Sequence, residues 1–239
     1  MTGVQTCALP ICGWGQASKI TDNLVGAGPK GHSIYAENHG GLLITANNVF
    51  PRGASSVHLN GVTRSSVTNN RLHSFYPGML VLADRSENLV ATNHFLRDHE
   101  PWTPFLEVDN GLDDLNGLLC VSGSNNSVIG NHFSQIIDSQ SIRPTGATPV
   151  IIRLIAGVGN FVSNNHVVAM DVHTKSSDSC FSAQVDALLT TQASEGLAVT
   201  TVMVDSESAR NTILDSGSDG QVIADRAVNA FRATPTVGF

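Results

Sequence analysis

The sequence predicts an all-β protein, a parallel β-helix with about 23–24 residues per coil, and three observations predict it. The first is a recurring string: an aliphatic residue, two variable positions, Asn, one variable position and a further apolar residue. It occurs at Ile20–Val25, Ile44–Val49, Val67–Leu72, Val90–Phe95, Val128–Phe133 and Val162–Val167. The second is spacing, since Asn23, Asn47, Asn70, Asn93, Asn131 and Asn165 follow one another at 24, 23, 23, 38 and 34 residues. An interval near 23 fits three short strands joined by turns, each coil stacking on the last at about 4.8 Å. The third is composition: 19 Asn, 24 Ser and 22 Gly beside only 14% charged residues suit short strands and tight turns.

Each element of the repeat has a physical role. The aliphatic positions Ile44, Val67, Val90, Val128 and Val162 fill the interior of successive coils. A column of Asn at one turn links amide to amide, satisfying groups that an inward turn would otherwise strand. Leucine-rich repeats share the period but require more regularly spaced leucines. Helical solenoids are disfavoured because the segments are only five to seven residues long and rich in β-branched side chains.

Along the chain, residues 1–12 read MTGVQTCALPIC, with neither strand nor helix periodicity and no basic residue before an apolar stretch. They are expected to be a non-native or disordered head, with residues 13–239 forming a single β-helix domain, the C-terminal part of a longer enzyme. The two stretched intervals imply insertions within 97–116 and around 140–149, and insertions on a solenoid collect as loops that carry binding. The motif disappears from Asp171 to Gly196, where Ser194-Glu195-Gly196 suggests a turn before a strand over 197–204. A degenerate copy returns at Ile213-Leu214-Asp215-Ser216.

A net charge of −7, a pI near 5.6 and the lack of any Lys or Arg run remove the electrostatic footprint of nucleic-acid or anionic-membrane binding. No apolar stretch approaches the length of a bilayer span. Cys7, Cys12, Cys120 and Cys180 are too few and too scattered for a disulfide framework.

Five strings occur in order: Gly26-Ala27-Gly28-Pro29, Ala36-Glu37-Asn38-His39, Asn48 to Gly53, Phe75 to Leu80 and Asn110 to Leu115. Together they closely resemble the inulin fructotransferases, the difructose-anhydride-forming inulin lyases of glycoside hydrolase family 91, from about Gly13 onward. The resemblance implies a secreted enzyme with a right-handed parallel β-helix, assembled as a homotrimer with active sites between subunits. It also implies release of difructose dianhydride from the end of inulin, a hydroxyl of the adjoining fructose attacking the anomeric carbon. Such chemistry uses an acid on the departing oxygen and a carboxylate beside an oxocarbenium-like centre, in a site that excludes water. The scheme requires no metal or cofactor. The 2,3′-linked dianhydride is the favoured product.

The family's acid pair is an Asp and a Glu just upstream of the segment matching Gly13 to Gln16. No Asp or Glu precedes Asp22, so the chain is expected to lack its principal catalytic carboxylates. The candidate substrate-binding residues are Glu37, Asn38, His39, Arg52, Tyr76, Asp113 and Asp114. Each has a plainer reading. Glu37, Asn38 and His39 either bond sugar or finish a turn before Gly40-Gly41. Arg52 leaves a tight turn to clamp a carboxylate or bind substrate, and Tyr76, like Trp102, stacks on a sugar or lies under a loop. Asp113 and Asp114 face fructose hydroxyls or cap a turn. His94, His132 and His166 each follow a repeat Asn and should form a column on the outer surface, with no metal.

Two other functions fit a β-helix. A calcium-dependent polysaccharide lyase would recruit Asp109, Asp113 and Asp114 to the cation. A non-catalytic carbohydrate-binding solenoid would bind inulin and release nothing.

Overall fold

A computed structural model describes residues 4–5, 9–12, 16–27, 32–51, 55–73, 80–83, 86–98, 117–137, 148–172, 194–196, 198–215, 221–223 and 229–233. Every regular element among them is a β-strand, and three eight-stranded sheets account for nearly all. The chain visits the sheets in rotation. A third-sheet strand such as Leu43–Thr45 leads to Asn48–Pro51 in the first sheet, then to Val57–Asn60 in the second, then back to the third at Ser66–Thr68. Successive coils pair in parallel, so the observed fold is the expected parallel β-helix.

Register puts like on like. In the third sheet Ile20, Ile44, Val67, Val90, Val128, Val162 and Ile213 stack in one column. In the first sheet Val25, Val49, Leu72, Phe95 and Phe133 form a second column, with the Phe95 and Phe133 rings stacked 4.6 Å apart at 13°. All of these are buried, and burial of each such side chain contributes about 1.5–3 kcal/mol. The degenerate copy at Ile213 joins the column in the expected register.

At the corner from third to first sheet, the residue before each repeat Asn takes a left-handed conformation: Asp22, Ala46, Asn69, Thr92 and Asn164 have φ between 53° and 57°. That conformation costs a non-glycine residue roughly 1–2 kcal/mol. Hydrogen bonds offset it. The Asn70 Nδ2 donates to Asn93 Oδ1, the Ile44 carbonyl and the Thr68 carbonyl, each at 3.0 Å. Its Oδ1 accepts from the main-chain N–H and the Nδ2 of Asn47. The same amide-to-amide link runs from Asn23 through Asn47, Asn70, Asn93 and Asn131 to Asn165.

A second ladder occupies the corner from second to third sheet, and sequence reasoning missed it. Asn88, Asn126, Asn160, Asn211 and Asn229 link amide to amide at 2.9–3.1 Å, all buried. Ser65 heads this column, its hydroxyl accepting the Leu42 N–H and its own N–H donating to Asn88 Oδ1. Left-handed residues precede these positions too, among them Arg64, Glu87, Asn125 and Arg210.

The third corner, from first to second sheet, has no fixed length. Its connectors run over 28–33, 52–56, 74–79, 99–118 and 138–149. Both expected insertions therefore fall at this corner. Arg97 belongs to a strand, not to the insertion, since His94–Asp98 is continuous. Three further boundaries differ from expectation. Ser194–Gly196 is a short antiparallel strand against Met170–Val172, because the first-sheet strand His166–Val172 runs past the point where the motif ends. The strand after it is Thr200–Val204. In the head, Val4–Gln5 and Leu9–Cys12 pair with Leu24-Val25 and Ile34–Glu37; main-chain pairing imposes strands where side-chain periodicity gave no sign of them.

Candidate functional site

The strand order divides the candidate residues between two corners. Arg52, Tyr76, Asp113 and Asp114 belong to connectors of the variable first-to-second corner, and Trp102 with them; all five lie outside the described residues. Glu37, Asn38 and His39 lie at the opposite end of the second-sheet strand Ile34–Glu37. A four-residue strand separates the two ends by roughly 13 Å.

His39 does not reach the surface. Asn38, exposed and at φ 52°, turns the chain so that His39 points inward at 2% exposure, as Val62 does one coil later. Its Nε2 hydrogen-bonds the Ser18 hydroxyl at 2.9 Å. The sugar-contact expectation is corrected for His39: it finishes the turn from inside. Glu37 faces outward, its Oε1 accepting from Asn60 Nδ2 at 3.3 Å.

Glu37 belongs to a patch on the outer face of the second sheet that the sequence reading did not assemble. Register pairs Tyr35 with His58 and Glu37 with Asn60. The Tyr35 and His58 rings lie 5.4 Å apart, and His32 closes the group at 4.6 Å from His58 and 5.9 Å from Tyr35. Burial first, and the neighbouring His32 second, pull His58 down to about 4. Burial also lowers His32, against a raising hydrogen bond with the Ser55 main chain. At neutral pH the result is an uncharged aromatic shelf edged by one carboxylate and one amide. Such a surface suits the apolar face and hydroxyl rim of a sugar ring. His32 lies near the end of connector 28–33, and His58 is the second residue of the strand that follows connector 52–56, so the shelf borders the variable corner. The signal was the period itself: Ile-Tyr-Ala-Glu at 34–37 recurs as Val-His-Leu-Asn at 57–60, 23 residues on.

Other titratable groups have structural explanations. Cys120 is buried, and burial pushes its thiol up to about 11, which removes it as a nucleophile at neutral pH. Arg153 and Asp205 form a two-point ion pair at 2.9 and 3.3 Å on that sheet. Arg97 points into the solenoid at 4% exposure, with its Nε donating to Gln135 Oε1 at 2.6 Å.

On the first sheet, His94, His132 and His166 form the expected outer column. His94 and His132 ring centroids are 4.9 Å apart, and those of His132 and His166 4.8 Å. The Ser134 hydroxyl lies 3.1 Å from both His94 Nε2 and His132 Nε2, while Nδ1 of His132 and Nδ1 of His166 are 3.0 Å apart. Among the described residues, no three His, Cys, Asp or Glu side chains converge as a metal cage. No helix among them is long and apolar enough to cross a membrane.

Known proteins share these coils. A family model described as the beta helix repeat of inulin fructotransferase matches residues 92–235. A second, for the periplasmic copper-binding protein NosD, matches residues 15–103. The chain is 40% identical over 162 residues to a DFA-I-forming inulin fructotransferase of Arthrobacter globiformis, an alignment covering 67% of this chain and 39% of that protein. It is 80% identical to the crystal structure of DFA-IIIase from Arthrobacter chlorophenolicus A6 in complex with DFA-III, at a TM-score of 0.86 over 96% of this chain and 52% of that one. The same enzyme crystallised without its lid matches at 70% identity and a TM-score of 0.78, over 95% of this chain and 49% of that one. The chain thus spans about half the length of these solved relatives, and less of the curated one. With its coils in register and the repeat model matching more than half its residues, the chain belongs to the inulin fructotransferase β-helix family.

Proposed function

We propose that the protein to which these coils belong releases difructose dianhydride from the end of inulin by intramolecular transfructosylation. A hydroxyl of the terminal fructose attacks the anomeric carbon of the penultimate one, whose bond to the oxygen of the third residue breaks, so that the two-fructose unit leaves as a ring. Two C–O bonds exchange, the attacking hydroxyl gives its proton to a carboxylate, and an acid protonates the departing glycosidic oxygen. The observation that carries this reading is the 80% identity to a DFA-IIIase crystallised with DFA-III. The shelf of Tyr35, His58 and His32 receives a furanose face, with Glu37 and Asn60 bonding its hydroxyls. Arg52, Tyr76, Asp113 and Asp114 come from the connectors of the adjoining corner. The acid–base carboxylates belong to the part of the relatives' length that this chain does not cover. The enzyme is secreted and acts as a homotrimer with its sites between subunits, an arrangement that keeps water from the cation.

The name DFA-IIIase, and the DFA-III bound to it, favour a second reading in which water opens the dianhydride. The bond is the same and the direction differs, so the discriminating variable is whether water is admitted. The test incubates the full-length protein with inulin and, separately, with DFA-III, and follows products by chromatography and mass. Dianhydride from inulin supports the first reading. Linear difructose from DFA-III with none of the cyclic product from inulin supports the second. No change in either overturns both. Tyr35→Ala in that protein should raise KM about tenfold, the loss of roughly 1.4 kcal/mol of stacking, with a smaller effect on kcat.

A further inference from the structure

We infer that His132 and His166 form a two-imidazole site for a borderline divalent transition-metal ion on the outer face of the first sheet. The column was expected to hold no metal, yet two of its rings approach in a way that suits one. Two nitrogens bound to a metal at about 2.1 Å and at right angles stand about 3.0 Å apart. The Nδ1 atoms of His132 and His166 are 3.0 Å apart. Strand register produces that approach, since the two residues are direct partners in adjacent coils and their rings are held at coil spacing.

The supporting hydrogen bond is in place. A metal-binding imidazole ordinarily donates its other ring N–H to a neighbour, which fixes the tautomer and aims the lone pair. The Ser134 hydroxyl, buried at 8% exposure, lies 3.1 Å from His132 Nε2. When that nitrogen carries the proton and donates, His132 Nδ1 accepts the hydrogen bond from His166 Nδ1–H, and an ion replaces that bond as the His166 proton moves through solvent to its Nε2. The same hydroxyl hydrogen-bonds His94 Nε2 at 3.1 Å, so the serine ties His94 to the array without adding a third ligand. His166 is exposed, which leaves the ion's remaining positions to water. Two imidazoles and water form a borderline donor set, for which affinity rises from zinc or nickel to copper(II). Among the described residues no carboxylate joins the two imidazoles, which disfavours a hard ion such as calcium.

The test titrates untagged full chain with Cu(II), Ni(II) and Zn(II) chlorides in a non-coordinating buffer near pH 7.5, by calorimetry and, for copper, electron paramagnetic resonance. The expected result is one copper per chain with hyperfine coupling to two nitrogens, binding tighter than nickel or zinc. His132→Ala and His166→Ala should each weaken it by about tenfold or more. His94→Ala should keep affinity within about threefold, and His58→Ala, which disrupts the other imidazole pair, should leave it unchanged. His166→Asn retains a polar side chain on an exposed site, so its melting temperature should match the parent while copper is lost. Unchanged affinity in both His132→Ala and His166→Ala overturns the assignment. So does equal loss in all four alanine variants.

Discussion

Two corners of the same coil obey opposite rules. From third to first sheet the chain turns through a left-handed residue and a buried asparagine, over 46–47, 69–70 and 92–93 alike. From first to second sheet the connector runs over 52–56 in one coil and 99–118 in another. The difference lies in where main-chain polar groups find partners. At the closed corner the amide ladder supplies every coil with the same bonds, so one residue more or less would orphan several buried groups at once. At the open corner no such column exists among the described residues, and length is free to vary. Connectors capable of reaching a ligand can accumulate there without disturbing the stack, which is why the aromatic shelf and most candidate side chains adjoin it.

The sharpest test of that contrast is a pair of insertions. One glycine between Ala46 and Asn47 should abolish the native fold, seen as loss of the cooperative unfolding transition, because it displaces Asn47 from its bonds to the coils before and after and leaves buried main-chain groups unpaired. Two glycines between Gly53 and Ala54 should cost under about 1 kcal/mol. Equal effects would erase the distinction. Next in size, Asn70→Ala removes five hydrogen bonds and leaves buried donors and acceptors on three coils. We expect a loss of about 3–5 kcal/mol by denaturant titration.

A smaller effect comes from acid. His58 has a folded value near 4, below the ordinary 6.5, so the folded state binds fewer protons than the unfolded one between those values. Its contribution is present above pH 6.5 and is lost as pH falls toward 4. The ladders contain nothing that titrates there. His58→Asn should flatten the fall in stability over that window, and nuclear magnetic resonance should place the ring's midpoint near 4. The least effect belongs to Arg64→Ala. Its 2.9 Å pair with Glu87 is solvent-exposed and should be worth less than about 0.5 kcal/mol, vanishing in high salt.

What sequence could reveal follows the same division. The apolar columns and first ladder were legible because one residue type recurs at one spacing from Asn23 to Asn165. The second ladder was hidden because it begins late: Leu42 and Ser65 occupy positions that asparagine takes only from Asn88 onward. Once seen, it is obvious in Asn88/Asn93, Asn126/Asn131 and Asn160/Asn165, each pair five residues apart. The choice between the two readings of His39 was not legible in the sequence, because a left-handed Asn38 reverses the alternation that would otherwise place it outside. Tyr35 and His58 escaped notice because outward positions carry no hydropathic signature. They meet only through register, a property of two coils and not of either segment alone.

The ladders also have a direction. In every link the earlier coil offers hydrogen and the later coil offers oxygen, so the column is an aligned row of dipoles along the axis. One end of such a row is chemically unlike the other. Two identical ends brought face to face would set donor against donor or acceptor against acceptor, whereas unlike ends would match. The polarity of a single amide, repeated, thus biases the stack against sticking to a copy that presents the same end and favours head-to-tail contact.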